Sequence, residues 1–296
     1  MRPYLWILGL LGLAGAGFYA VTRPFGALRG SVRFRSSKPA VGLTWWLSQG
    51  QPGGWQEKIG DFDFCVVKVT DGRKALGDKE LGAVVEACRN AGTPVQSWSY
   101  CYAKTVSQAH AEGQVAAQEA KRIGARAHWM NCEHQWAGGY MGEAGADDPF
   151  ETMQALVAAF RVGAPGVPVI FNSTTSWMSP RLTPQLDRAI AGLFAAYGPM
   201  VYSSGQQGGT ATMRKKWVRG HAIASELGIP FCPLLGSGRE SKKTPGSYWT
   251  NLQGIRDLQD EMPADWGTFW IAPGGADRIY AANALNPSLS DFARSA

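Results

Sequence analysis

Short β-rich runs recur along this chain at residues 40–47, 64–70, 94–102, 127–133, 168–172, 200–204, 229–235 and 268–272, and helical stretches separate them. Those stretches, at 79–90, 106–123, 149–161, 183–197, 210–227 and 248–261, carry Ala, Leu, Glu, Gln and Lys at helical spacing. Parallel strands need crossover helices on the outside, and eight β-then-α units close a sheet without leaving an edge. The expected fold is therefore α/β, a (β/α)8 TIM-type barrel. An open doubly wound sheet is disfavoured, because no strand leads into a G-x-G-x-x-G or G-x-x-x-x-G-K-[ST] phosphate loop. Several helical stretches end at a glycine, Gly92, Gly124, Gly198 and Gly228, which suits a left-handed cap before the next strand.

The net charge of +6 is unevenly placed. Arg2, Arg23, Arg29, Arg33, Arg35 and Lys38 supply six of the 29 basic residues, and no acidic residue precedes Glu57. The remaining 23 basic residues balance the 23 acidic ones, so the body of the chain is neutral and offers no footprint for nucleic acid. Residues 4–21 contain no charge and are just long enough to cross a ~30 Å hydrocarbon layer as a helix. The rival is a cleaved signal peptide, with Arg2 as its basic start and Ala14-Gly15-Ala16 as the cleavage site. The anchor is favoured because the apolar run continues through Phe18, Tyr19 and Val21. The expected division is thus a transmembrane anchor at 1–22, a basic linker at 23–40 and the barrel at 41–296. Five basic residues follow the anchor, which keeps the barrel on the cytoplasmic side by the positive-inside rule. The five cysteines, odd in number and without metal-ligand spacing, agree with a reducing compartment.

In such a barrel, functional side chains sit at the carboxyl ends of strands and in the following loops. Those ends offer Thr44, Trp46 and Ser48, then Asp71, then Trp98, Tyr100 and Tyr102, then Asn131 and Glu133. Later ends give Asn172, Tyr202, Ser203, the 236–243 loop and Trp270. Glu133 stands out, since a glutamate between Trp129 and Trp136 can be held in an apolar mouth with a raised pKa, as a general acid requires. A structural carboxylate paired with a neighbouring Arg or Tyr is the plainer alternative. Strand alternation puts Asn131 on the face of Glu133 and turns Cys132 toward the helices. Asp71 reads as a second carboxylate or as a turn residue before Gly72. His110, His128, His134 and His221 show no paired spacing, so neither a metal nor another cofactor is expected.

The same residues resemble glycoside hydrolase family 25, the lysozymes and muramidases built on a β/α barrel. GLTWWLSQG (42–50) sits where that family has a pattern like G-I-D-V-S-x-W-Q-G, and FCVVKVTDG (64–72) is similar to its F-V-I-I-K-A-T-E-G strand. SWSYCYA (97–103) lies where the family has G-A-Y-H-F-A, HWMNCEH (128–134) falls on its D-x-E strand, and PVIFNSTTSW (168–177) is similar to its I-Y-T-N-x-x-x-W stretch. Trp270 falls where the family often has a Trp on the last strand. Two acids are replaced: the first-strand Asp is Thr44, and the first Asp of D-x-E is Asn131.

The resemblance implies a membrane-tethered, lysozyme-like glycosidase acting on N-acetylated cell-wall glycan, plausibly a bacteriophage protein at the envelope. Glu133 would protonate the glycosidic oxygen, and Asn131 with Asp71 would position the acetamido group. Trp46, Trp98, Tyr100, Trp136, Tyr202 and Trp270 would line the sugar subsites. The implied partners are cell-wall glycan, a lipid membrane through residues 4–21, and virion or envelope proteins. The alternative is a catalytically degenerate barrel that binds glycan or protein as a structural component. A third reading pairs Glu133 with Glu143 or Glu240 on another substrate.

Overall fold

The computed structural model describes residues 40–45, 59–76, 78–133, 136, 145–174, 192–201, 209–236, 258, 261, 262 and 264–270. Among them nine strands form one sheet: β1 (Ala40–Trp45), β2 (Phe64–Asp71), β3 (Lys74–Ala75), β4 (Val95–Tyr100), β5 (His128–Asn131), β6 (Val169–Thr174), β7 (Ala196–Val201), β8 (Leu234–Gly236) and β9 (Trp266–Trp270). Four helices join or flank them: α1 (Asp78–Ala91), α2 (Val106–Arg122), α3 (Pro149–Gly163) and α4 (Gly209–Leu227). Spatial order is β1-β9-β8-β7-β6-β5-β4-β2-β3, and β1 also pairs with β2. All pairings are parallel except that of β3, which folds back on β2 through Gly72 and Arg73. The protein is thus α/β with a curled, mixed sheet whose first strand touches both the second and the last.

Strand alternation sorts the apolar residues into two layers. Phe64, Val66, Trp98, Ala127, Trp129, Ile170, Ala196 and Cys232 meet inside the curl. Their neighbours Cys65, Val67, Met130, Cys132, Val169 and Phe171 face the helices and join a larger outer core. At Gly42 an added Cβ would collide with the Phe64 ring, so the inner layer is filled against bare backbone there.

The helices begin where their caps dictate. Thr105 accepts a hydrogen bond from the Gln108 N–H at 3.2 Å and starts α2. Asp148 accepts from the N–H groups of Phe150 and Glu151, both at 2.9 Å, and Pro149 supplies the first position of α3. Gly92, Gly124 and Gly228 have φ of 69°, 70° and 61°, the left-handed caps expected. Trp217 of α4 is buried, with its indole N–H on the Met262 carbonyl at 3.0 Å.

Gly198 corrects the expectation. Residues 196 and 197 belong to β7, not to the end of a helix, and Gly198 lies inside that strand. A Cβ there would stand 2.6 Å from the Trp129 ring and 3.0 Å from the Cys232 carbonyl, so packing inside the curl accounts for this glycine. Residues 1–39, including the expected anchor and nearly all of the linker, lie outside the described residues. Among the described residues no helix is long and apolar enough to cross a membrane.

The α2 and α3 pair is the most intimate helix contact, made through Gly113, Ala117 and Gly163. A Cβ on Gly113 would run into the Leu156 carbonyl oxygen, and backbone cannot swing aside as a side chain can. Gly113→Ala is expected to destabilise the protein by about 1–3 kcal/mol despite the better helix propensity of alanine, as read by urea unfolding.

Candidate active site

The mouth is built where β2, β4 and β5 end. β2 and β4 pair in register through Lys68 and Trp98, then slip, so that Thr70 meets Ser99 and Asp71 meets Tyr100. The extra residue is Val69, whose side chain packs outward in the helix-facing core. Simple alternation would turn Lys68 and Asp71 to opposite faces; the bulge brings them together. Lys68 Nζ donates to Asp71 Oδ1 at 3.0 Å, and the lysine is 2% exposed. Its ammonium stands 5.0 Å from the Trp98 ring centre and 5.6 Å from that of Tyr100. Burial lowers the Lys68 pKa, opposed by its bond to Asp71 and by the charges of Asp71 and Glu133.

From β5, Trp129 faces inward and donates its indole N–H to Gln96 Oε1 at 2.6 Å, while Met130 and Cys132 face the helices. Asn131 and Glu133 share the inward face, and Asn131 Nδ2 donates to Glu133 Oε1 at 2.9 Å. Glu133 is half-buried, whereas Asn131 is buried, and its Oδ1 has no hydrogen-bond partner among the described residues. A buried acceptor left unmade costs about 1–3 kcal/mol, and residues 134–135 and 137–144, which follow Glu133, lie outside the described residues.

Other expected site residues separate. Asp71 is half-buried at the strand end and also opens the turn to β3. Trp98 is buried beneath Lys68 and forms the floor, not a sugar-facing wall; Tyr100 remains half-buried beside it. Trp136 is fully buried in the outer core with its indole N–H on the Cys101 carbonyl at 2.8 Å, which removes it from the subsite lining. The surroundings of Glu133 are correspondingly more polar than two flanking tryptophans suggest, with Asn131 bonded to it and the Lys68 charge acting on it. Trp46, Tyr202, His134, Glu143 and Glu240 lie outside the described residues, and of Trp270 only the backbone, in β9, is described. Thr44, at the position of the family's first-strand Asp, is buried and shares a 2.7 Å hydroxyl hydrogen bond with Thr268.

Two contributors, Lys68 and Glu112, were given no role by sequence, and a third, Tyr102, was offered only as a strand-end residue. Lys68 has the parity of Phe64 and Val66, so a lysine at an inward strand position was its signal. Glu112 lies on the buried face of α2 among Ala109, Gly113, Ala116, Ala117 and Ala120. It reaches back to accept the Tyr102 N–H at 3.0 Å. Burial pushes its carboxyl up to about 7, against the N–H groups of Tyr102 and Ala103 and the charge of Arg73. The phenol of Tyr102 is pushed up to about 12, first by partial burial and then by the neighbouring Asp71, with Glu133 and Glu112 adding to the rise.

The cysteines pair in space. All five are free thiols; Cys65 lies beside Cys88 and Cys101 beside Cys132, and in each pair the neighbouring thiol, and then burial, raises the pKa of the first well above the thiol range. Cys132 also lies 3.9 Å from Met153 Sδ on the helix side, away from the mouth, and is no nucleophile for it.

With that geometry in place, known proteins can be compared. No protein-family model matches the chain, and no curated protein matches it. A GH18 chitinase from Pseudoalteromonas aurantia matches with a TM-score of 0.57 at 8% identity, over 86% of this chain and 98% of that one. A chitinase from Chromobacterium violaceum matches with 0.55 at 12% identity, over 80% and 94%. The fold is shared with glycoside hydrolases. The modular autolysin LytC from Streptococcus pneumoniae also matches, with a TM-score of 0.42 at 16% identity, over 53% of this chain; the match spans only 37% of that protein.

Two buried groups set opposite pH dependences. His128, stacked on Phe160 and bonded to Ser97, has its pKa lowered by burial from 6.5 to about 3. Its contribution is full above pH 6.5 and is lost as pH falls toward 3. Glu112, raised from 4.5 to about 7, contributes fully below pH 4.5 and loses that contribution as pH rises to 7. Between pH 4.5 and 6.5 the two oppose each other. Glu112→Gln should therefore convert a nearly flat stability profile in that window into one rising with pH, by up to about 1.4 kcal/mol per unit, in denaturant titrations across a pH series.

Proposed function

We propose that this chain is a (β/α)8 glycosidase acting on N-acetylated cell-wall glycan, with Glu133 as its general acid. The observation that carries the reading is the Asn131–Glu133 pair, one amide with a hydrogen bond to the carboxyl and a buried oxygen left over. In this reading Asn131 holds the Glu133 carboxyl through Oε1, and that carboxyl carries the proton to be transferred. The free Asn131 Oδ1 suits the N–H of a 2-acetamido group. Lys68, already paired with Asp71, supports the Glu133 carboxylate once its proton has gone. The acetamido oxygen of the substrate then serves as nucleophile, so a second protein carboxylate is not required for the first step. Residues 4–21 tether the barrel to a membrane in this reading, and wall glycan is its partner.

A second reading has a specific observation in its favour. Thr44 is locked to Thr268 where a carboxylate is expected, which suits a barrel that binds glycan or an envelope or virion protein without cleaving it.

Peptidoglycan release by the purified protein separates the two. The wild type should release soluble fragments, and Glu133→Gln should lower the rate by about 100-fold or more at matched circular dichroism. Inactivity of both, with retained binding to insoluble wall, establishes the non-catalytic barrel instead.

A further inference from the structure

Tyr102 is the one exposed aromatic among the described residues, at 43%, yet it is held from every side. Its backbone N–H donates to Glu112 Oε2 at 3.0 Å. The charge of Asp71, itself paired with the buried ammonium of Lys68, acts on the Tyr102 phenol. The Tyr100 ring lies behind it, with centroids 4.7 Å apart and planes tilted by 38°. Below, Gly72 adopts φ +57°, and a Cβ there would stand 3.1 Å from Tyr102 Cδ2 and 3.3 Å from Glu112 Oε1. An ordinary surface tyrosine hops between rotamers and pays ordering entropy when a ligand covers it; this ring has already been ordered.

We propose that Tyr102, backed by Tyr100, is a stacking platform for a pyranose ring of the glycan on the β2 and β4 side of the mouth, and that Glu112 beneath it is the positioning residue that presents it. The inference rests on the glycan reading above and adds a subsite to it. A sugar ring offers an apolar face of axial C–H groups that packs flat on an aromatic ring, while its hydroxyls remain free for polar neighbours. Asp71 lies at the edge of the platform and is half-buried, so its carboxylate is available to ring hydroxyls as well as to Tyr102 and Lys68. Glu112 touches no ligand in this arrangement: it ties the Tyr102 backbone beside the Gly72 turn and so fixes the two loops that carry Tyr102 and Asp71.

The test is calorimetric titration of the full chain with the β-1,4-linked tetramer of N-acetylglucosamine, beside Tyr102→Ala, Tyr102→Phe, Glu112→Ala, Glu112→Gln and the double alanine variant. Tyr102→Ala is expected to weaken binding about tenfold, whereas Tyr102→Phe, which keeps the stacking face, stays within about threefold of the parent. Glu112→Ala should weaken it comparably, Glu112→Gln should recover part of the loss, and the double variant should be no worse than Tyr102→Ala alone, because both changes disable one platform. Near-uv circular dichroism checks each variant's fold. Parent-like binding by Tyr102→Ala overturns the platform and leaves the glycan reading standing. Additive losses in the double variant overturn the role of Glu112. Absence of binding by the parent, to the tetramer and to insoluble wall alike, overturns the glycan reading and this inference together.

Discussion

A lysine buried to 2% exposure at the mouth of a curled sheet must be neutralised, and the local architecture follows from how this is done. Lys68 has two aromatic rings beside it and Asp71 within 3.0 Å, but Asp71 shares its face only because β2 carries an extra residue at Val69. The bulge leaves Val69 in the helix-facing core, where alternation already puts it with Cys65 and Val67, and re-aims the strand's last residue at the charge it must meet. Once Asp71 is so placed, Tyr102 stands beside it, Glu112 accepts the Tyr102 backbone N–H, and the Gly72 turn packs against both.

The strand order and most helix bounds were legible because they rest on periodicities and caps that act locally. The alternation through Trp129, Met130, Asn131, Cys132 and Glu133 needed only the strand's two-residue period, and no bulge interrupts β5. Where a bulge does intervene, as between Lys68 and Thr70, alternation read from sequence assigns the wrong face to everything beyond it. Gly198 illustrates a different limit. A glycine following an Ala-rich helical pattern looks like a cap, and only the Trp129 ring from a strand two places away in the sheet distinguishes a cap from a packing site.

The aromatic residues failed for a related reason. Tryptophan has both a large apolar surface and one donor, so Trp98, Trp129 and Trp136 are equally suited to lining a subsite or filling a core, and the sequence does not say which. The structure decides by partners: Trp129 finds Gln96 and Trp136 finds the Cys101 carbonyl, each inside a core. Glu112 was more readable than it looked, since a lone carboxylate at a buried position of an alanine-rich helix has to find partners beyond its own helix.

Charge at the mouth bears on the choice between a catalytic and a binding barrel. Lys68 is balanced by Asp71, which leaves Glu133 as the further carboxyl on the inward face among the described residues, bonded through Oε1 to Asn131. Where a second acid might have stood there are an amide and a hydroxyl pair, Asn131 and Thr44 with Thr268, which add no charge. The Lys68 ammonium acts on Glu133 in either case: it favours the carboxylate left after a proton transfer, but it equally opposes the proton held before one. A proton donor at this position therefore needs desolvation of Glu133 by a bound ligand to offset the Lys68 charge.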